Sequence, residues 1–243
     1  MPLIIFITLA LFFPIKANAQ PDTCVATDKS CLLGTLETLT AEIEEQKWRD
    51  QTYREIAKLL VHEKNDEHAM SLISKIENPD TKAMTIRGIG MSAAESGYTE
   101  QEYKPLFTKL RQEAEKIEHP PSYAIALTYI AMAQAFSGDD IGAMNTARDM
   151  KNAALRNKAF GESAEIQAEH GRFDEAMASI AAIEDLAFRN KAYRTISKIF
   201  VDRKKYDEAL KSAMAIENSY QKAQSVLYIL AKQITPQEVS LVE

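Results

Sequence analysis

A stretch of this sequence recurs at a fixed interval. Asn157-Lys158-Ala159-Phe160 is followed by His170-Gly171-Arg172-Phe173-Asp174-Glu175-Ala176 and then by Ile183-Glu184. Asn190-Lys191-Ala192-Tyr193, Lys204-Lys205-Tyr206-Asp207-Glu208-Ala209 and Ile216-Glu217 repeat the series, each match 33 residues on. Going backward, Gly171 meets Gly138, Ala176 meets Ala143 and Ile183 meets Met150. Ala69 and Ile76-Glu77 carry the same ending earlier, and a final half unit begins at Lys222-Ala223 with Val226, Leu227 and Leu230. Self-similarity at such a period restricts the fold to an array whose units bury their apolar faces on one another.

Each unit reads as two helices. The first carries apolar residues at helical spacing, as in Tyr193, Ile196, Ile199 and Phe200. A short turn follows, and the second helix opens on Asp-Glu, which suits the positive end of a helix dipole. The second helix presents Ala209, Ala213 and Ile216 to the first. Gly171 fits the left-handed position that closes a helix. Lys64 and Lys204 are poor closers there, so those turns are expected to be built differently. Only 8 glycines and 8 prolines occur in 243 residues, which agrees with helices and disfavours a turn-rich β-sandwich. One unit is longer: an insertion that includes Tyr98 to Lys109, with Pro105 inside, predicts a longer or broken second helix. His119-Pro120-Pro121 then interrupts the chain. Insertions in such arrays project from one face, which often binds; length drift in one unit is the alternative.

Leu3 to Phe13 form an apolar run with only Thr8 interrupting, followed by Pro14 and Ala17-Asn18-Ala19. This is the pattern of a cleaved secretory signal peptide over residues 1–19, too short to span a bilayer. It lacks the usual Lys or Arg before the apolar core. The chain is therefore expected to be exported, periplasmic or secreted. The two cysteines, Cys24 and Cys31, follow directly, and in an exported chain they are expected to pair. Residues 20–47 form this Cys-containing segment and a capping helix, with Leu32, Leu33, Leu36, Leu39 and Ile43 as an amphipathic stripe. The same stripe would equally serve a partner or self-association. The repeat domain spans 48–234, and 235–243 is a C-terminal tail.

The turn residues Gly171-Arg172-Phe173-Asp174-Glu175-Ala176 and Tyr206-Asp207-Glu208-Ala209 resemble the tetratricopeptide (TPR) repeat, a helix-turn-helix unit of 34 residues. That family places a small residue seven before the turn glycine, matched by Ala57, Gly90, Ala131, Ala164 and Ser197. Its bulky residue four earlier is matched by Tyr53, Ile86, Leu127, Phe160 and Tyr193. The family's Trp and its leucine-glycine pair are absent, and the period is 33. The resemblance covers roughly residues 48–232. It implies an all-α solenoid of about five TPR-like helix-turn-helix repeats with an N-terminal capping helix.

It also implies a concave groove lined by the first helices. Carried over unit by unit, the groove residues are Arg54 and Lys58, Arg87 and Met91, Thr128 and Met132, Gly161 and Glu165, and Arg194 and Lys198. On a chain of net charge −6 this set is basic at both ends with methionines in the middle. Arginines recognise carboxylates and methionine adapts its contacts, so an acidic peptide or protein partner is expected. The family's carboxylate clamp needs Asn beside Lys and is only approximated. Nucleic-acid binding is disfavoured by the net negative charge.

No catalytic constellation emerges. His62 and His68 flank the first turn without a zinc spacing, and His119 and His170 stand alone. Phosphate-loop, nucleophile-elbow and dinucleotide fingerprints are missing. The expectation is a non-enzymatic adaptor or scaffold without metal or cofactor. A self-associating envelope module and a cell-wall hydrolase on a helical-repeat fold are the alternatives.

Overall fold

The computed structural model describes residues 24–235. The expected signal peptide over 1–19, residues 20–23 of the following segment and residues 236–243 of the tail lie outside them. Among the described residues all regular structure is helical, with twelve helices and no strand. They are α1 (Lys29–Ala41), α2 (Gln46–His62), α3 (Asp66–Ile73), α4 (Pro79–Glu95), α5 (Glu100–Glu115) and α6 (Pro120–Ser137). Then follow α7 (Asp140–Arg148), α8 (Ala153–Glu169), α9 (Phe173–Ala181), α10 (Leu186–Asp202), α11 (Tyr206–Met214) and α12 (Ser219–Ile234).

Five antiparallel pairs, α2/α3 through α10/α11, pack side by side. Each even-numbered helix also packs on the next, so α2, α4, α6, α8, α10 and α12 form one continuous row. The small-on-bulky register explains the spacing. Ala57, Gly90, Ala131, Ala164 and Ser197 are buried, as are Tyr53, Ile86, Leu127, Phe160 and Tyr193. A Cβ on Gly90 would stand 2.8 Å from the Ala133 Cβ, so only glycine lets α4 approach α6 this closely.

The five pairs turn alike. The closing residues Lys64, Gly97, Gly138, Gly171 and Lys204 all have positive φ. After each, an amide donates five residues back, from Asn65 to Leu60, Tyr98 to Ala93, Asp139 to Gln134, Arg172 to Gln167 and Lys205 to Phe200. This is the Schellman closure. The expectation that the two lysine turns are built differently is thus corrected: the helices they join require the same left-handed residue, and lysine adopts it. At Lys64 the side chain finds compensation, with Nζ 3.5 Å from the Tyr98 ring centre and 3.0 Å from Glu102.

A second device recurs between pairs. Arg49 donates backward to the Ile43 carbonyl (2.9 Å) and forward to Glu77 (2.9 Å). Arg156 does the same to Met150 (2.8 Å) and Glu184 (2.8 Å), and Arg189 to Ile183 (3.0 Å) and Glu217 (2.6 Å). The next residue accepts from the backbone: Asp50 from the Glu77 and Asn78 amides, Asn157 from Glu184, and Asn190 from Glu217. The recurring Ile-Glu ending is one half of this clamp.

The insertion lengthens α5 to 16 residues against 9 in α7, α9 and α11, without breaking it. Pro105 is accommodated inside, and a capping box of Thr99 and Glu102 starts the helix. Glu102 is held at about 2 by the Thr99 amide, the Lys64 ammonium and the Thr99 hydroxyl. His119 caps α6, whose first residues are Pro120 and Pro121. Helix α1 ends at Ala41, short of the expected segment end. Leu33 and Leu36 lean on the core, but Leu32 and Leu39 point outward, so the stripe is only half buried. Cys24 and Cys31 form a disulfide at the start of α1, with Cα atoms 5.7 Å apart.

Candidate binding face

The expected groove residues lie on the row of even-numbered helices. Arg54 and Lys58 share the carboxylate of Glu55, at 2.9 and 2.6 Å. Lys58 bonds Glu55 and, with Arg54, holds its carboxyl below the usual range against the opposing effect of burial. The Lys58 stem lies across α4, where a Cβ on Gly88 would come within 2.9 Å of it. Two cations share one carboxylate here, so this end of the face keeps a single net positive charge, with both cations already paired.

The middle is different. The Arg87 guanidinium stacks 5.1 Å from the centre of the Tyr129 ring and has no carboxylate partner among the described residues. Met91 packs on the main core from the face. Met132 and Phe136 cover the small cluster of Ala135, Ala143 and Ile166. Thr128 is buried, and its hydroxyl donates to Ala124 in its own helix, so it offers a ligand nothing. Gly161 is buried beside Phe188. Glu165 is half-buried, and burial followed by repulsion from Glu162 and Glu169 raises its pKa, with Lys191 partly offsetting this. At the far end Arg194 and Lys198 border a recess with Ser197, Gln224 and Tyr228, and the Lys198 ammonium is 5.3 Å from the Tyr228 ring centre. Basic groups on α2, α4 and α10 therefore flank a methionine- and aromatic-rich centre and an acidic stretch on α8.

The residue-by-residue reading missed Glu55, Tyr129, Glu162 and Tyr228. Glu55, Tyr129 and Glu162 each stand one position after a chosen residue, and Tyr228 takes the same register in the final half unit; that register also holds Gly88 and Thr195. On a helix that is the adjoining strip of the same face. The signal was present, since Glu55, Tyr129 and Tyr228 are what the neighbouring cations touch.

A second concavity was not foreseen residue by residue. A cleft of about 610 Å3 separates the lengthened α5 from α7, floored by Tyr103 and Phe107 and edged by Lys104, Arg111, Asp139 and Ile141. Two of its carboxylates, Asp139 and Asp140, are committed to the fold. Asp139 accepts from the Gly142 amide and Gln134, Asp140 accepts from Gln167 and faces Arg172, and Arg111 pairs with Asp149 at 2.5 Å. Burial raises the Asp140 pKa, against the Gln167 hydrogen bond and the Arg172 charge. Among the described residues no three His, Cys, Asp or Glu side chains converge as metal ligands. His62 instead contacts Ser96 and His68 contacts Glu37.

No family model matches the chain, and neither a curated protein nor a solved structure is similar to it.

Proposed function

We propose that this chain is an exported helical-repeat solenoid of TPR type that captures another protein on the face of its even-numbered helices. The repeat reading draws support from the five like turns and the continuous even row. Among the second helices only α3 and α5 pack closely, which fits a row bent with the even helices on its inner side. Export is supported by the apolar run and Ala17-Asn18-Ala19, and by the disulfide, since such bonds persist in oxidising compartments. No helix of the described residues is long and apolar enough to cross a membrane.

The observation that carries the binding reading is Arg87. It is a half-buried cation resting on the Tyr129 ring, without a carboxylate partner among the described residues, with Met91 one turn on along its own helix and Met132 one turn on from Tyr129. A partner segment bearing a carboxylate and apolar side chains would satisfy all three. Arg194 supplies the second cation, whereas Arg54 is already paired with Glu55. The chemistry is recognition without catalysis.

The test is cross-linking in the native host, followed by identification of what the chain retains. One dominant partner, lost in Arg87→Glu/Arg194→Glu and retained in Arg54→Glu, is expected. Retention by the double variant at the wild-type level rejects the groove.

A further inference from the structure

The first and last described helices are the two unmatched halves of the repeat. Ile43-Glu44 stands 33 residues before Ile76-Glu77. Arg49 grips the Ile43 carbonyl as Arg156 grips that of Met150 and Arg189 that of Ile183. By this signature α1 is a second-type helix, packed on α2 as α7 packs on α8, and no first helix of its own lies among the described residues. Helix α12 is a first-type helix, packed on α10 and α11, and no second helix of its own unit lies among the described residues.

Both uncovered faces are apolar, at positions that are buried elsewhere. Leu39 takes the register of Thr146, Ser179 and Ser212, all fully buried; Thr146 and Ser179 bond Gln134 and Gln167 on their own first helices. Leu39 is 55% exposed. Leu230 and Ile234 take the register of Ser197 and Val201, which α11 covers on α10, the Ser197 hydroxyl donating to the Ala209 carbonyl. They are 49% and 68% exposed.

We propose that copies of this chain associate head to tail, with α1 of one copy seated on α12 of the next as its missing second helix. Charge supports this occupant over others. Lys222 stands in the register of Arg49, Arg156 and Arg189, whose glutamate partners end the second helix of their own unit. In the joined pair that glutamate is Glu44 of the next copy. Neither Lys222 nor Glu44 has an ion pair among the described residues.

Two departures set the strength. Ala223 stands where Asn190 accepts from the Glu217 amide, so that hydrogen bond is missing. Leu230 and Leu36 stand where Ser197 meets Ala209, so the axes would sit nearer about 10 Å than 8 Å apart. The contact is therefore weaker than those within the chain and reversible. It is heterologous, so it yields an open array or, where the rotation between copies closes, a ring, and in either case assemblies larger than a dimer.

Sedimentation velocity of the purified protein up to about 100 μM tests this. Species larger than a dimer are expected to grow with concentration. Leu39→Glu and Leu230→Glu, both at exposed positions and checked for unchanged helicity, are each expected to be monomeric. Their equimolar mixture is expected to form a dimer and nothing larger, because each variant keeps one intact end. Lys222→Glu or Glu44→Lys weakens association several-fold, and the two together restore it. A wild type monomeric throughout, as when residues 236–243 cover α12 of their own chain, overturns the proposal. So does a Leu39→Glu variant that still associates, which would mean that α12 pairs with itself. None of these outcomes depends on the partner-binding face.

Discussion

Lys64 and Lys204 hold a left-handed backbone that costs an L-residue about 1–2 kcal/mol. Their environments differ. Lys64 lies against Tyr98 and pairs with Glu102, while the Tyr98 hydroxyl lies within hydrogen-bonding distance of two acceptors, Asp66 at 2.6 Å and the Val61 carbonyl at 2.9 Å. That cluster ties the first pair of helices to the second. Lys204 makes no comparable contact among the described residues. Lys204→Gly is therefore expected to stabilise by about 0.5–1 kcal/mol, relief of strain exceeding glycine's greater unfolded-chain freedom. Lys64→Gly is expected to give no such gain, because the cross-pair contacts go with the side chain. Thermal unfolding of both variants checks this; equal gains would contradict the assigned role of Lys64. The sequence could not separate the two lysines. Propensity alone makes both poor closers, and only the packed helices on either side show that the turn geometry prevails. For the same reason the face residues were legible by register, but not which were free. Whether Arg87 meets Tyr129, for instance, depends on how closely the adjacent helix approaches.

Between elements, stability concentrates at the junctions. The Arg-Asn pair at the start of α8 and α10 closes three elements at once, and Arg49-Asp50 does so at α2. Asn190 is nearly fully buried, so Asn190→Ala leaves the Glu217 amide without its acceptor. The expected cost is about 1–3 kcal/mol. Hydrogen exchange should localise the loosening to the α11–α12 junction; a uniform loss across all pairs would contradict a junction-by-junction account. The Ile-Glu ending was visible as a recurrence, but its reason was not. The arginine it serves lies in the following helix, six residues beyond the isoleucine, where pattern matching does not connect the two. The insertion was legible as extra length. That α5 stays unbroken over Pro105, and opens a cleft beside α7, follows from packing against α4 and α6.

At the scale of the molecule, the even helices make one continuous row, and the second helices do not. That asymmetry leaves two surfaces of different character. The even row presents Arg87 on the strip of Met91, and Arg194 in a recess with Tyr228, neither with a carboxylate partner among the described residues. The opposite side offers the α5–α7 cleft, with Ile141 78% exposed at its edge. The proposed function places the partner on the first surface. The direct measurement is photo-cross-linking in the native host from single positions on each: Met91 and Met132 on the row, Ile141 at the cleft and Ala178 on α9. One and the same partner adduct from Met91 and Met132, with none from Ile141 or Ala178, is expected. An adduct from Ile141 alone, or none from the even row, would contradict the account.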